Sequence, residues 1–205
     1  MAVEPAFPSQ YIRAVTAPSR ELGLPAVTDA QLVALARESR ADCIELLYGA
    51  HKGRIYSFLL RLLGDPELAD DITQDVFTKA YQALGTLTKE HKVLPWLYRI
   101  ANNSAIDHLR RRKRINWLRV GGLLGTREEP VSPDAHAAIP ERDQVRAVLA
   151  TMPVEQVTAL LLHALEGYTY REIAEIQGST LPAVRSRIAR ARNVFRLAYE
   201  TKETQ

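Results

Sequence analysis

The 205-residue chain carries 27 Lys and Arg against 24 Asp and Glu, a formal net charge of +3, with 46% hydrophobic and 25% charged residues. That balance is ordinary for a globular protein; it excludes collagen-like, intrinsically disordered and membrane-spanning classes, and the length suits one large domain or two small ones. The most apolar run, Val157 to Leu165, contains His163 and is about half the roughly 18 residues that a bilayer-spanning helix needs, so no direct membrane insertion is expected.

Residues 1–27 hold Pro5, Pro8, Pro18 and Pro25 without a sustained apolar period, which predicts a flexible N-terminal arm. Its first ten residues have no basic start and no apolar stretch, so no secretory signal is expected. Thr28-Asp29-Ala30-Gln31 is a capping box that starts a helix, continued by Leu32 and Leu35. Ile44, Leu47, Tyr48, His51, Ile55, Phe58, Leu59 and Leu62 extend an apolar stripe at spacings of three and four. Gly64-Asp65-Pro66 breaks it. Asp65 as N-cap and Pro66 in the first turn predict a helix from about Pro66 to Leu84, ending at Gly85. Pro95 and Trp96 open another, through about Arg114.

From about Trp117 the pattern dissolves into Gly121, Gly122, Gly125, Pro130, Pro133 and Pro140, so residues 117–140 read as a linker. Three helical stretches follow: about Glu141 to Ala150, Pro153 to Leu165, and Thr169 to Ala198, the last interrupted by Gly178-Ser179-Thr180. No strand-period run occurs. The expected fold is all-α, with two small helical domains at 28–116 and 141–205 joined by a flexible linker.

Thr169-Tyr170-Arg171-Glu172 is a second capping box, opening a short helix with Ile173, Ala174 and Ile176 that stops at Gly178. A second helix starts near Leu181, with Thr180 as N-cap and Pro182 in the first turn. Two helices joined by such a turn predict a helix-turn-helix. Val184, Ile188, Ala191, Phe195 and Ala198 define one buried face, which leaves Arg185, Ser186, Ala189 and Arg190 as a contiguous strip able to reach a major groove. A run of arginines is usually a solvated helix face, but from Arg185 through Arg187 to Arg196 no acidic residue intervenes. A single-sign face beside this turn favours a polyanion.

The near-neutral total conceals a segregation of charge. Asp65, Glu67, Asp70, Asp71 and Asp75 stand without a basic residue, whereas Arg99 to Arg119 holds seven cations, among them Arg110, Arg111, Arg112 and Lys113, against Asp107 alone. The acidic helix, with Gln74 and Thr78, suits a basic protein partner, while Ile72, Val76 and Phe77 mix into its core side. Trp96 and Tyr98 ahead of the arginines are the pairing by which single-strand binders stack bases and meet phosphates; a core anchor is an equal reading of Trp96. The five histidines show no ligand spacing, and no phosphate loop appears, so neither a metal, a cofactor nor a catalytic constellation is expected. With one cysteine no disulfide can form. Cys43 reads as a small buried hydrophobe, and a reducing, cytoplasmic setting fits.

These segments together resemble the extracytoplasmic-function (group IV) sigma factors of bacterial RNA polymerase. Ala69-Asp70-Asp71-Ile72-Thr73-Gln74-Asp75-Val76-Phe77 resembles their core-binding helix, and Trp96-Leu97-Tyr98-Arg99-Ile100-Ala101-Asn102-Asn103 through Asp107 and Arg110 their promoter-melting helix. Glu172 to Ile176 and Val184 to Arg192 resemble region 4. The resemblance implies that Asp70, Asp71, Gln74, Asp75, Phe77 and Thr78 dock on the clamp helices of the largest subunit of core RNA polymerase, whose flap is a further partner. Trp96, Tyr98, Asn103, Asp107, Arg110, Arg111, Arg112 and Lys113, with the loop Gly85 to Pro95, would take the minus-10 element of promoter DNA and melt it. Arg185, Ser186, Arg187, Ala189 and Arg190 would read the minus-35 element as duplex. An anti-sigma factor is also implied as a partner. Pro182-Ala183 and Ala189 depart from the family pattern, where Gly-Thr and a larger residue are common. The competing reading is a stand-alone helix-turn-helix regulator whose N-terminal helices dimerise.

Overall fold

A computed structural model describes residues 28–88, 92–119 and 141–200, with side chains described except at 113–119, 141–144 and 199–200. The expected arm and most of the expected linker lie outside the described residues. Within them the chain forms eight α-helices and one 3-10 turn, with no strand.

Helix α1 (Asp29–Glu38) starts at the expected capping box: the Thr28 hydroxyl accepts from the Gln31 N–H at 3.3 Å and the Thr28 N–H donates to Gln31 Oε1 at 2.9 Å. The stripe running on toward Leu62 does not belong to the same helix. Ser39 takes an extended conformation (φ −144°, ψ 107°), ending α1, and its hydroxyl accepts from the Asp42 N–H to cap α2 (Arg40–Leu63). An apolar stripe persists across such a break because both helices face one core, so periodicity alone does not reveal it. Gly64 (φ 72°) closes α2, and Asp65 caps α3 (Pro66–Ala83) by accepting from the Leu68 N–H at 3.1 Å.

After a 3-10 turn at Leu84–Thr86, helix α4 (Val93–Arg119) starts two residues earlier than Pro95 suggests. Proline is accommodated in a first turn, where its absent N–H has no acceptor to miss. The helix also continues past Arg114, taking in residues 117–119 that the glycine- and proline-rich composition assigns to the linker.

Helices α2, α3 and α4 pack side by side. Leu47, Ile55, Phe58 and Leu59 meet Ile72, Val76 and Phe77, and Leu97 and Tyr98 complete the layer. Ala69, Ala80, Ala101 and Ala105 are fully buried, small enough to let the helix backbones approach. Cys43 is buried as expected; its thiol donates to the Leu32 carbonyl, and burial pushes its pKa up.

The second unit comprises α5 (Glu141–Ala150), α6 (Val154–Ala164), α7 (Tyr170–Gln177) and α8 (Leu181–Glu200). Residues Val157 through Leu162 of α6, five apolar side chains and Thr158, are all buried. They lie against α8 and α7, and α6 also touches α2. The two units are therefore in contact: α4 packs on α7, and α2 packs on α5 and α6.

Candidate nucleic-acid and polymerase interfaces

The turn between α7 and α8 is built by local hydrogen bonds. Thr169 and Glu172 complete the capping box, hydroxyl to N–H at 3.3 Å and carboxylate to N–H at 3.0 Å. At the other end Gly178 adopts φ 58°, and the Ser179 and Gly178 N–H groups donate back to the Ala174 and Glu175 carbonyls, closing the helix with a left-handed glycine cap. Thr180 then caps α8, its hydroxyl accepting from the Ala183 N–H. Val184, Ile188, Ala191 and Phe195 are buried, as the spacing predicts.

That inward face leaves Arg185, Ala189 and Arg190 exposed and Ser186 half-buried on the opposite side of α8. Arg187 is different. Its guanidinium donates to Gln177 Oε1 at 2.7 Å, and Gln177 Nε2 donates to the Glu155 carbonyl at 2.9 Å, so this arginine braces α8 against α7 and α6 instead of projecting outward. The arginine run from 185 to 196 offers no signal that one member turns inward.

On α4, Arg99, Asn103, Asp107, Arg110 and Arg111 are exposed at spacings of three and four, forming one stripe, with Trp96 half-buried at its head. Arg112 is exposed beside them, and the side chain of Lys113 lies outside the described residues. Tyr98 is not on this stripe. It is fully buried, its ring edge-on to Phe58 (5.2 Å) on one side and to Tyr168 (5.8 Å) on the other, so it is a packing residue here rather than a presented aromatic. Two positions separate Tyr98 from Trp96, which turns it by about 200° around a helix of 3.6 residues per turn.

On α3, Asp71, Gln74, Asp75 and Thr78 are exposed on one face. Gln74 Nε2 donates to Asp70 Oδ2 at 2.9 Å, the Thr78 hydroxyl donates to the Gln74 carbonyl, and Asp75 pairs with Lys79 at 2.7 Å. Lys79 also donates to Ser104 of α4 at 2.8 Å, tying the two helices together. Phe77 is buried, against expectation for a contact residue, because it points to the α2 side. Covering it is Tyr48, edge-on at 5.0 Å and 37% exposed, with the Lys52 ammonium 4.9 Å from its ring. Tyr48 and Tyr81, which is 44% exposed, are the surface aromatics beside the acidic face. Sequence periodicity places Tyr48 in the core stripe, so only the packing brings it to the surface.

Where the units meet, Lys92 pairs with Glu172 at 2.8 Å and Arg54 with Glu166 at 3.1 Å. A cleft of about 260 Å³ at this seam is lined by Lys92, Pro95, Trp96, Arg99, Glu172, Glu175 and Ile176. The Glu172 carboxyl is held down to about 2, first by Lys92 and then by the Thr169 N–H and hydroxyl. Tyr98 and Tyr168 are both pushed up, chiefly by burial and then by the Glu166 carboxylate, Tyr168 to about 12. His51 is pushed down by burial and by the neighbouring Arg54. Among the described residues no group of His, Cys, Asp and Glu is placed to hold a metal ion, and no helix is long and apolar enough to cross a membrane.

Residues 47–115 match the family model for Sigma-70 region 2, and residues 142–193 match that for Sigma-70, region 4. The chain is 32% identical to the RNA polymerase sigma-H factor of Pseudomonas aeruginosa over 82% of its own length and 91% of that protein. It belongs to the extracytoplasmic-function sigma factors. Another relative is the sigma factor SigC of Mycobacterium tuberculosis, 32% identical over 83% of this chain and 89% of that one. Two solved structures share the fold. RpoE of Bartonella quintana, in complex with the anti-sigma factor NepR, superposes with a TM-score of 0.61 at 22% identity, over 78% of this chain and 98% of that one. CnrH, in complex with the cytosolic domain of CnrY, gives 0.59 at 24%, over 84% and 97%. In this sigma factor the region 2 match covers most of α2, all of α3 and most of α4, and the region 4 match covers α5 to α8 as far as Asn193.

Proposed function

We infer that this sigma factor is a non-catalytic promoter-specificity subunit that binds core RNA polymerase, directs it to minus-35 and minus-10 elements and promotes DNA melting. The observation that carries the reading is the ordered match to both regions on two helical units whose exposed faces differ in chemistry. The acidic face of α3, with Asp71, Gln74 and Thr78 exposed, suits a basic surface of the polymerase. The α4 stripe headed by Trp96 suits single-stranded DNA, where rings stack on bases and arginines meet phosphates. Arg185, Ala189 and Arg190 suit base edges and phosphates of a duplex major groove.

The division of the chain at 28–116 and 141–205, a cytoplasmic setting and an anti-sigma partner belong to the same reading. The partner is supported by the solved relatives RpoE with NepR and CnrH with CnrY. The test is reconstitution: purified protein added to core polymerase should direct initiation at defined sites in a genomic fragment library. Asp71→Lys combined with Gln74→Ala should abolish binding to core polymerase while leaving duplex DNA binding intact. Unchanged core affinity would refute the docking assignment, and sedimentation as a homodimer without polymerase binding would favour a stand-alone regulator.

A further inference from the structure

Gln177 belongs to none of the motifs of this chain, yet its side chain joins three helices. Its Oε1 accepts from the Arg187 guanidinium of α8 at 2.7 Å, and its Nε2 donates to the Glu155 carbonyl of α6 at 2.9 Å. The two bonds reinforce each other. An amide whose N–H is already donating carries a more negative oxygen, so it holds a cation more firmly than a free amide does. Its orientation is also set, since Arg187 can only donate and a carbonyl can only accept. Gln177 is the last residue of α7, directly before the left-handed Gly178, where the chain turns toward α8. Arg187 keeps its full charge there: among the described residues no carboxylate pairs with it.

Arg187 stands three positions before Arg190, about 60° round the helix from it. It lies on the flank between the exposed strip and the buried face of Val184, Ile188, Ala191 and Phe195. A cation extended from the flank of a reading helix meets phosphates, not base edges, and phosphate contacts add affinity without sequence information. We propose that Gln177 is a specificity-determining residue. By holding Arg187 back across the turn, it leaves duplex recognition to Arg185, Ser186 and Arg190 and keeps an unselective phosphate contact out of the interface. This rests on the reading of α8 as the helix that enters the major groove. The same two bonds brace α8 against α7 and α6, so loss of the amide has two effects. Arg187 swings out to a phosphate, and α8 follows it, which takes Arg185 and Arg190 off their bases.

The experiment uses the full chain, with Gln177→Met, Arg187→Gln and the double variant completing a cycle. Methionine is close to glutamine in length and has only a weak acceptor in its thioether. Each protein is titrated against a randomised duplex pool, and against a duplex that the parent enriches from that pool, between about 50 and 200 mM salt. On the pool, Gln177→Met should steepen the fall of log affinity with log salt by about 0.9, the slope of one added phosphate contact on duplex DNA. The parent, Arg187→Gln and the double variant should share one slope. Preference for the enriched duplex over the pool should drop about tenfold in Gln177→Met, of the order that one base pair commonly decides. It should recover in the double variant, where no cation remains to pull α8 aside. A purely structural brace predicts the reverse, an unchanged slope and an equal loss of preference in Gln177→Met and the double variant, and that result overturns the proposal. So does a slope about 0.9 shallower in Arg187→Gln than in the parent, because Arg187 would then already be on a phosphate. The comparison of Arg187→Gln with the parent decides between the two even if Gln177→Met folds poorly. Failure of the underlying reading is separate: the parent would then enrich no sequence from the pool and direct core polymerase to no start site.

Discussion

Two glycines in this chain predict opposite outcomes for the same substitution. Gly178 sits at φ 58°, and its Cβ would meet nothing within 4 Å, so alanine there suffers backbone strain without a clash. The left-handed conformation costs an L-residue roughly 1–2 kcal/mol, while alanine restricts the unfolded chain and returns about 0.4–1 kcal/mol. Gly178→Ala should therefore destabilise by about 0–1.6 kcal/mol, and Gly178→Asn by less, because asparagine tolerates that conformation. Gly53 lies inside α2, is exposed, and also has open space at its Cβ, with no positive φ. Gly53→Ala should stabilise by about 0.5–1 kcal/mol, since only the entropy term remains. Urea denaturation followed by circular dichroism reads both changes. Thermal midpoints should move apart by a few degrees, at about 2–4 °C per kcal/mol for a chain of this size. If Gly178→Ala is more stable than the parent, the assignment of the turn to a left-handed glycine cap is refuted; if Gly53→Ala is less stable, the placement of Gly53 in open space on α2 is refuted. The functional corollary is that Gly178→Ala weakens duplex binding, because the turn aims α8.

Tyr98 is buried with its hydroxyl beside the Glu166 carboxylate but without a hydrogen bond of good geometry. Tyr98→Phe should change stability by no more than about 1 kcal/mol, whereas Tyr98→Ala should cost about 3–5 kcal/mol; a large loss in the phenylalanine variant would show that the hydroxyl, not the ring, matters. Arg190→Ala should leave the melting curve unchanged and weaken upstream duplex binding by about 1–3 kcal/mol, while Arg187→Ala should destabilise by about 1 kcal/mol through loss of its Gln177 bond. Interchanged effects would place Arg187 on the DNA. Because Glu172 is depressed from 4.5 to about 2, its contribution is present above pH 4.5 and lost as pH falls toward 2. Melting curves of the parent and Glu172→Gln should therefore differ at pH 5 to 7 and converge near pH 2. Comparing the two cancels the separate loss, below pH 6.5, from protonating His51.

Much of this molecule follows from residue type and spacing. Capping boxes at Thr28 and Thr169, the Gly64-Asp65-Pro66 break, the Gly178 turn and the buried face of α8 are all local events, decided within a few residues by which side chain can satisfy a free N–H or accept a positive φ. The segregation of acid on α3 from base on α4 and α8 is likewise written in the sequence, and a total of +3 conceals it. Other features required the tertiary structure. Helical periodicity marks which side of a helix is apolar, but not whether Tyr48 ends at the rim of the core or Tyr98 at its centre. Nor does composition reveal that Arg187 turns inward to Gln177, or that α7 lies across the head of α4. Those outcomes depend on the neighbours that packing brings near, at separations such as the 80 residues between Lys92 and Glu172. Local chemistry made the elements and their charges, and long-range packing decided which of those charges face a partner and which face each other.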